Sequence, residues 1–228
     1  MSASRQSRQN RLFTPPLLPS PAQPRSPYCW ESSDRPSDMF PFLIRTARPH
    51  DLRDLSDLLA DSFYKPDGQA SWLFPLFRLG IYEDLRHRFH EQAPHYACLA
   101  AVDYSTRLNL QATLGISDIV VGTIELSAKT PKFWNMRTEP YLYISNLAVR
   151  PTHRRQGIAL KMLTACEQIA LDWGFSEIYL HVLETNKDAR KLYKKAGYQA
   201  ESIDTGIGSI LFGKPRQLFL RKTLTSQS

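Results

Sequence analysis

The chain has 228 residues, 42% of them hydrophobic, and a formal net charge of +7 at pH 7, which allows one sizeable core and at most a small appendage. No apolar run approaches the roughly 20 residues that cross a bilayer, and no continuous apolar stretch opens the chain as in a secretory signal, so a soluble, non-exported protein without membrane partners is expected. Cys29, Cys98 and Cys166 stand far apart, with no C-x-x-C and no histidine at ligand spacing, which argues against a metal site or a disulfide framework and fits a reducing compartment.

The positive charge is unevenly placed. Residues 1–30 carry Arg5, Arg8, Arg11 and Arg25 with no acid, together with Pro15, Pro16, Pro19, Pro21, Pro24 and Pro27. Such a segment cannot offset the entropy of folding, so residues 1–41 are expected to form a disordered basic tail. Its arginine- and serine-rich, acid-poor composition suits an organellar transit peptide as well as a plain flexible leader. The remainder, residues 42–225, is only mildly basic and lacks an aromatic-interleaved basic stripe, so nucleic acid is not an expected partner.

The segment "FLIRTAR", residues 42–48, reads as a strand, and Pro49 suits the first turn of a helix that carries Leu52, Leu55, Leu58 and Leu59 on one stripe. Residues 64–95 read as a helical cap interrupted near Pro75 and Gly80. "HYACLAAVD" (95–103), "DIVVGTIEL" (118–126) and "YLYISNLAV" (141–149) read as strands, with a surface loop holding Lys129, Lys132 and Trp134 between the last two. Next comes a helix with Met162, Cys166, Ile169 and Trp173 on one face, stopped by Gly174. "SEIYLHVLE" (176–184) is a strand, 186–197 a short helix with Asn186 as N-cap and Gly197 past its end, and 198–204 with 216–223 a closing antiparallel pair. Strands first, then alternating helix and strand, predict an α+β, mixed-sheet fold with helices on both faces.

One stretch asks for a ligand. "HRRQGIA", residues 153–159, places Arg154 and Arg155 before Gly157 at a helix start. Unpaired N–H groups and the helix dipole make that end an anion site, which Gly157 leaves open to close approach and Ala159 keeps narrow. The dinucleotide fingerprint and the Walker A motif are both absent. The same residues would also suit a plain turn before a core helix.

The R-x-x-G-x-A loop at Arg154 to Ala159, preceded by "YISNLAV" and followed by "NKDARKLYKKAGY" with N-x-x-A-x-x-x-Y spacing, resembles the GNAT acetyltransferase family over roughly residues 43–223. The resemblance implies a splayed mixed sheet that grips acetyl-CoA (acetyl-coenzyme A) between strands 141–149 and 176–184. It places the cofactor's pyrophosphate on N–H groups of Arg155, Gln156, Gly157, Ile158 and Ala159, beside Arg154. The Leu147–Ala148–Val149 strand would meet the pantetheine arm through the main chain of Leu147 and Val149. Tyr193 is implied as the acid toward the leaving thiol, and Asn186 as a cap that also supports the cofactor.

For the base, the residues offer His181, Tyr143 and Glu125. "LYI" and "YLHV" resemble the NatE-type N-terminal acetyltransferases, in which a tyrosine and a histidine at these positions work through water. Tyr143 and His181 are therefore the first choice. Glu125, which otherwise reads as an ordinary solvent-facing charge, is the second, because the resemblance includes family members that use a strand glutamate; strand 141–149 has no carboxylate, a departure from relatives that place their base there. "IRTARPHDLRDLSDLLADSFY" and "GIYEDLRHRF" also resemble the cyanobacterial and plastid branch of the family, which implies protein acetylation in a cyanobacterial-type cytosol or a plastid stroma. The expected activity is transfer of acetyl to a protein or peptide amine, N-termini ahead of lysines, by a monomer or homodimer. A small-amine acetyltransferase and a non-catalytic acetyl-CoA sensor are the alternatives. The segments expected to line the acceptor side, 64–95 and 203–216, show no concentrated negative charge of the kind a polyamine would need.

Overall fold

The computed structural model describes residues 29–30, 42–63, 74–91, 93–103, 119–130, 139–204 and 216–225. Within them, strands β1 (Cys29–Trp30), β2 (Phe42–Thr46), β3 (Tyr96–Asp103), β4 (Ile119–Lys129), β5 (Tyr141–Val149), β6 (Glu177–Leu183), β7 (Gln199–Asp204) and β8 (Gln217–Thr223) form one sheet. Its order is β1-β2-β3-β4-β5-β6-β8-β7. All neighbours are antiparallel except β5 and β6, which the crossover helix α3 (Ile158–Asp172) joins in parallel. Helices α1 (Leu52–Phe63) and α2 (Phe74–Glu91) precede β3, and α4 (Lys187–Lys195) follows β6.

Two apolar clusters sit on opposite faces of the sheet. On one, Leu55, Leu58 and Leu59 of α1 and Leu85 of α2 pack on Cys98, Ala100 and Val102. On the other, Met162, Leu163, Cys166 and Ile169 of α3 and Tyr193 of α4 pack on Leu99, Ile124, Leu142, Ile144 and Leu180. Each large buried aliphatic chain contributes about 1.5–3 kcal/mol. The expected α+β mixed sheet with helices on both faces is therefore what forms.

Several local expectations shift. Pro75 lies in the first turn of α2, where its missing N–H costs nothing, and the helix passes Gly80 without a break. The interruption expected there is absent because an open helix face tolerates glycine at modest cost, and a Cβ at Gly80 would meet nothing within 4 Å. β4 continues to Lys129, opposite Tyr141, so Lys129 belongs to a strand rather than a loop. Lys132 and Trp134 lie outside the described residues. Cys29–Trp30, inside the segment expected to be disordered, pairs with Arg45 and Ile44 of β2; the rest of residues 1–41 lies outside the description.

At the β2–α1 junction, Arg45 and Asp51 form a pair 2.6 Å apart with side chains 4% and 3% exposed. Asp51 also accepts from the backbone N–H of Arg48 at 2.7 Å. This clamp fixes the direction in which α1 leaves the sheet.

Candidate active site

β5 and β6 pair over three positions only: Leu142 with Ile178, Tyr143 with Tyr179, and Ile144 with Leu180. β5 then runs on to Val149 and β6 to Leu183 without further pairing to each other. Two main-chain edges thus face one another across an opening cleft, a place where an extended arm can lie as an added strand. A bulge in β5 shapes this edge: Thr123 of β4 lies opposite Ala148 and Glu125 opposite Ser145, so Ile124 faces both Asn146 and Leu147. Asn146 takes the left-handed conformation, φ 54°, which asparagine tolerates better than other residues with a Cβ.

The cleft leads to the N-terminus of α3. Gly157 is the N-cap with φ 82°, and Arg155 is left-handed with φ 65°. The first intrahelical bond runs from Lys161 N–H to the Gly157 carbonyl at 3.0 Å, so the N–H groups of Ile158, Ala159 and Leu160 have no partner within the helix. Alternating backbone twist and a helix start form a nest for a phosphate. Arg154, Arg155, Gln156 and Gly157 are exposed there, whereas the Ile158 side chain is buried in the core. Arg154 donates from Nε to the Val149 carbonyl at 3.0 Å, so that carbonyl already has one partner while the N–H groups of Leu147 and Val149 belong to the bulged strand. Arg155 reaches Asp188 of α4 at 4.0 Å.

α4 supplies the other side. Asn186 caps it by accepting from Ala189 N–H at 3.1 Å, and acid at Asp188 with base at Lys194 and Lys195 suits the helix dipole. Tyr193 is 8% exposed. Burial pushes its pKa up to about 12, with a further rise from Tyr143 nearby, so the hydroxyl keeps its proton at neutral pH.

At the last paired rungs, the Tyr143 hydroxyl lies 2.9 Å from His181 Nδ1. Burial raises the Tyr143 pKa, and a hydrogen bond from the His181 backbone partly offsets it. Phe219 of β8 sits against the imidazole at 4.7 Å between ring centres and stacks on Tyr179 at 5.2 Å. These aromatic rings hold the histidine in one orientation.

Glu125 departs from its expected setting. It is 1% exposed rather than solvent-facing. Its Oε2 accepts from Arg88 of α2 at 2.5 Å and its Oε1 from Asn146 Nδ2 at 2.9 Å. Arg88 is in turn held by Asp84 one turn earlier. The carboxylate left water because two donors replace its hydration.

Arg88 and Asn146 escaped the sequence reading. Asn146 carried a signal, a lone asparagine inside the apolar run "YISNLAV"; Arg88 carried none, being one of three arginines on α2.

The residues fit acetyl-CoA: an open β5 edge, a nest at Arg155–Gly157 with basic side chains beside it, and a buried hydroxyl at Tyr193. The profile of the Acetyltransferase (GNAT) family matches residues 52–198. The chain is 30% identical over 177 residues to GCN5-related N-acetyltransferase 10, chloroplastic, of Arabidopsis thaliana, covering 75% of this chain and 67% of that one. It spans only 28%, 36% and 35% of three further chloroplastic relatives. It is 34% identical over 117 residues to a thialysine N-epsilon-acetyltransferase of Bos taurus, covering 51% of this chain and 64% of that one. A crystal structure of the NatC complex bound to Gag peptide and CoA aligns with 81% of this chain and 99% of that one, at TM-score 0.56 and 18% identity, a likeness of fold alone. The chain belongs to the GNAT family of acetyltransferases, enzymes whose donor is acetyl-coenzyme A.

Proposed function

We propose that the chain acetylates protein amines, N-termini in preference to lysine side chains, in a plastid stroma. The observation that carries this is the Tyr143–His181 pair, 2.9 Å apart where β5 and β6 separate. When bound, acetyl-CoA supplies an acetyl group already activated as a thioester. The main-chain edge Leu147–Val149 would hold the extended arm, and the N–H groups from Arg155 to Ala159, with Arg154 beside them, would hold the phosphates; Asn186 caps the start of α4 beside the same cleft.

The attacking amine must be neutral. A terminal amine has a reference pKa of about 7.7–8.0 and a lysine about 10.4, so a neutral imidazole is a sufficient base for the first and a weak one for the second. With its proton on Nδ1, His181 donates to the Tyr143 oxygen and keeps a lone pair on Nε2 to accept the amine's proton, directly or through water. Tyr193, protonated because burial raises its pKa, would hold the proton that the leaving thiolate needs. Glu125 cannot serve equally well, since it is 1% exposed and both oxygens already accept hydrogen bonds.

The plastid setting is supported by the chloroplastic relatives, and among the described residues no helix is long and apolar enough to cross a membrane. A second reading, a small-amine acceptor, draws on the likeness to the thialysine acetyltransferase. The test is transfer from labelled acetyl-CoA to peptides with free N-termini, to N-blocked peptides bearing lysine, and to small diamines, side by side. Preferential labelling of free N-termini supports the proposal. Preference for the diamines would overturn it in favour of the second reading.

A further inference from the structure

We propose that Glu125 is a positioning residue, which holds Asn146 in its left-handed conformation from an anchor on α2 and so sets the β5 edge that receives the acyl donor; this rests on the donor-cleft reading above. An extra residue in a strand offsets everything beyond it, and in β5 the offset begins at Asn146, immediately before Leu147–Val149. A non-glycine residue at φ 54° is held there only when its surroundings favour it. The Asn146 amide is tied to Glu125 Oε1 at 2.9 Å, and the other oxygen is fixed by Arg88 at 2.5 Å. Asp84 braces Arg88 from the same helix. One carboxylate thus links α2 to the strand that the donor-cleft reading gives to acetyl-CoA.

A general base and a positioning carboxylate respond differently to the same change. In Glu125→Gln, the side-chain NH2 must face one of two hydrogen-bond donors, and loss of that charge-assisted bond weakens coenzyme A binding about tenfold. Glycine adopts the left-handed region without a tether, so adding Asn146→Gly to Glu125→Gln restores affinity to within about twofold of Asn146→Gly alone. Asn146→Ala behaves like Glu125→Gln, because alanine resists positive φ.

The experiment measures coenzyme A affinity by calorimetry, and acetyl transfer with its pH profile, for wild type, both single variants at Asn146, Glu125→Gln, and the Glu125→Gln/Asn146→Gly double variant. Lower coenzyme A affinity in Glu125→Gln with an unchanged pH profile, rescued by glycine, is the expected result. Unchanged affinity with lost turnover and a lost limb of the pH profile makes Glu125 the base and overturns the proposal. Failure of glycine to rescue overturns it as well. If Glu125→Gln does not fold, the comparison of Asn146→Ala with Asn146→Gly decides, equal affinities counting against the proposal. Wild type that binds no coenzyme A would overturn the donor-cleft reading itself, a separate and recognisable failure.

Discussion

The Tyr143 hydroxyl and His181 Nδ1 are 2.9 Å apart although 38 residues separate them in the chain. They meet because α3 returns the chain in parallel and sets Tyr143 opposite Tyr179, two residues before His181. Replacing His181 with alanine is expected to lower turnover by about 10²-fold or more while coenzyme A affinity stays within a few-fold, because the proposed role of the imidazole is toward the amine and not the donor. Tyr143→Phe, which leaves the ring but removes the oxygen that orients Nδ1, should lose less. Steady-state kinetics beside calorimetry decides; parallel loss of turnover and affinity would make the histidine a packing residue.

Tyr193 allows a test on chemistry and one on stability. Tyr193→Phe should cut turnover by about 10²-fold with little change in the Michaelis constant for the amine. Its pKa rises from 10.0 to about 12 through burial, so the folded state favours the neutral phenol. The stability this contributes is complete below the unfolded value and is lost as pH climbs through the interval up to the folded one. Tyr198 is raised in the same direction and for the same first reason, desolvation. Unfolding should therefore accompany tyrosinate formation at alkaline pH, and Tyr193→Phe should shift the transition upward. A spectroscopic pH titration with a parallel circular dichroism signal reads both.

The sequence disclosed most of the fold because its signals were local. The leucine stripe of α1, the Asn186 cap and the glycine stops at Gly174 and Gly197, both with positive φ, each depend on neighbours a few residues away. Tyr143, His181 and the loop at Arg154–Ala159 stood out through the resemblance of their motifs to the GNAT pattern, and the fold brings Tyr143 and His181 into contact. What stayed hidden depends on register. The β5 bulge is defined by how β4 lies against it, and Glu125 owes its burial to Arg88, 37 residues away. Alternation within β4 reports which face Glu125 occupies, not what covers that face.

Gly157 separates backbone strain from ligand binding. At φ 82° any Cβ is unfavourable, so Gly157→Ala should destabilise the fold by about 1 kcal/mol and weaken coenzyme A binding only modestly. Gly157→Asp adds a carboxylate where the nest would hold phosphate, and affinity should fall by at least another tenfold through like-charge repulsion. Thermal melts and calorimetry on both variants provide the comparison. Equal affinity for alanine and aspartate would show that no anion sits there.

Asp51 tests the clamp that aims α1. Burial opposes its ionisation, but hydrogen bonds from Arg45 and from the Arg48 backbone, with the Arg45 charge, outweigh it and hold the carboxyl below the usual carboxylate range. A depressed folded pKa means the stabilisation is complete above the unfolded value and is lost as pH falls through the folded one, so the wild type should lose stability in acid below about pH 4. Asp51→Asn leaves Arg45, 3% exposed, without its counter-charge and should cost about 3–5 kcal/mol. Since the clamp lies at the β2–α1 junction and not in the cleft, coenzyme A affinity of the folded fraction should be unchanged. Denaturant melts across pH 3 to 7 provide the check: a variant whose stability matches the wild type at pH 7 would show that Asp51 contributes nothing beyond its surroundings.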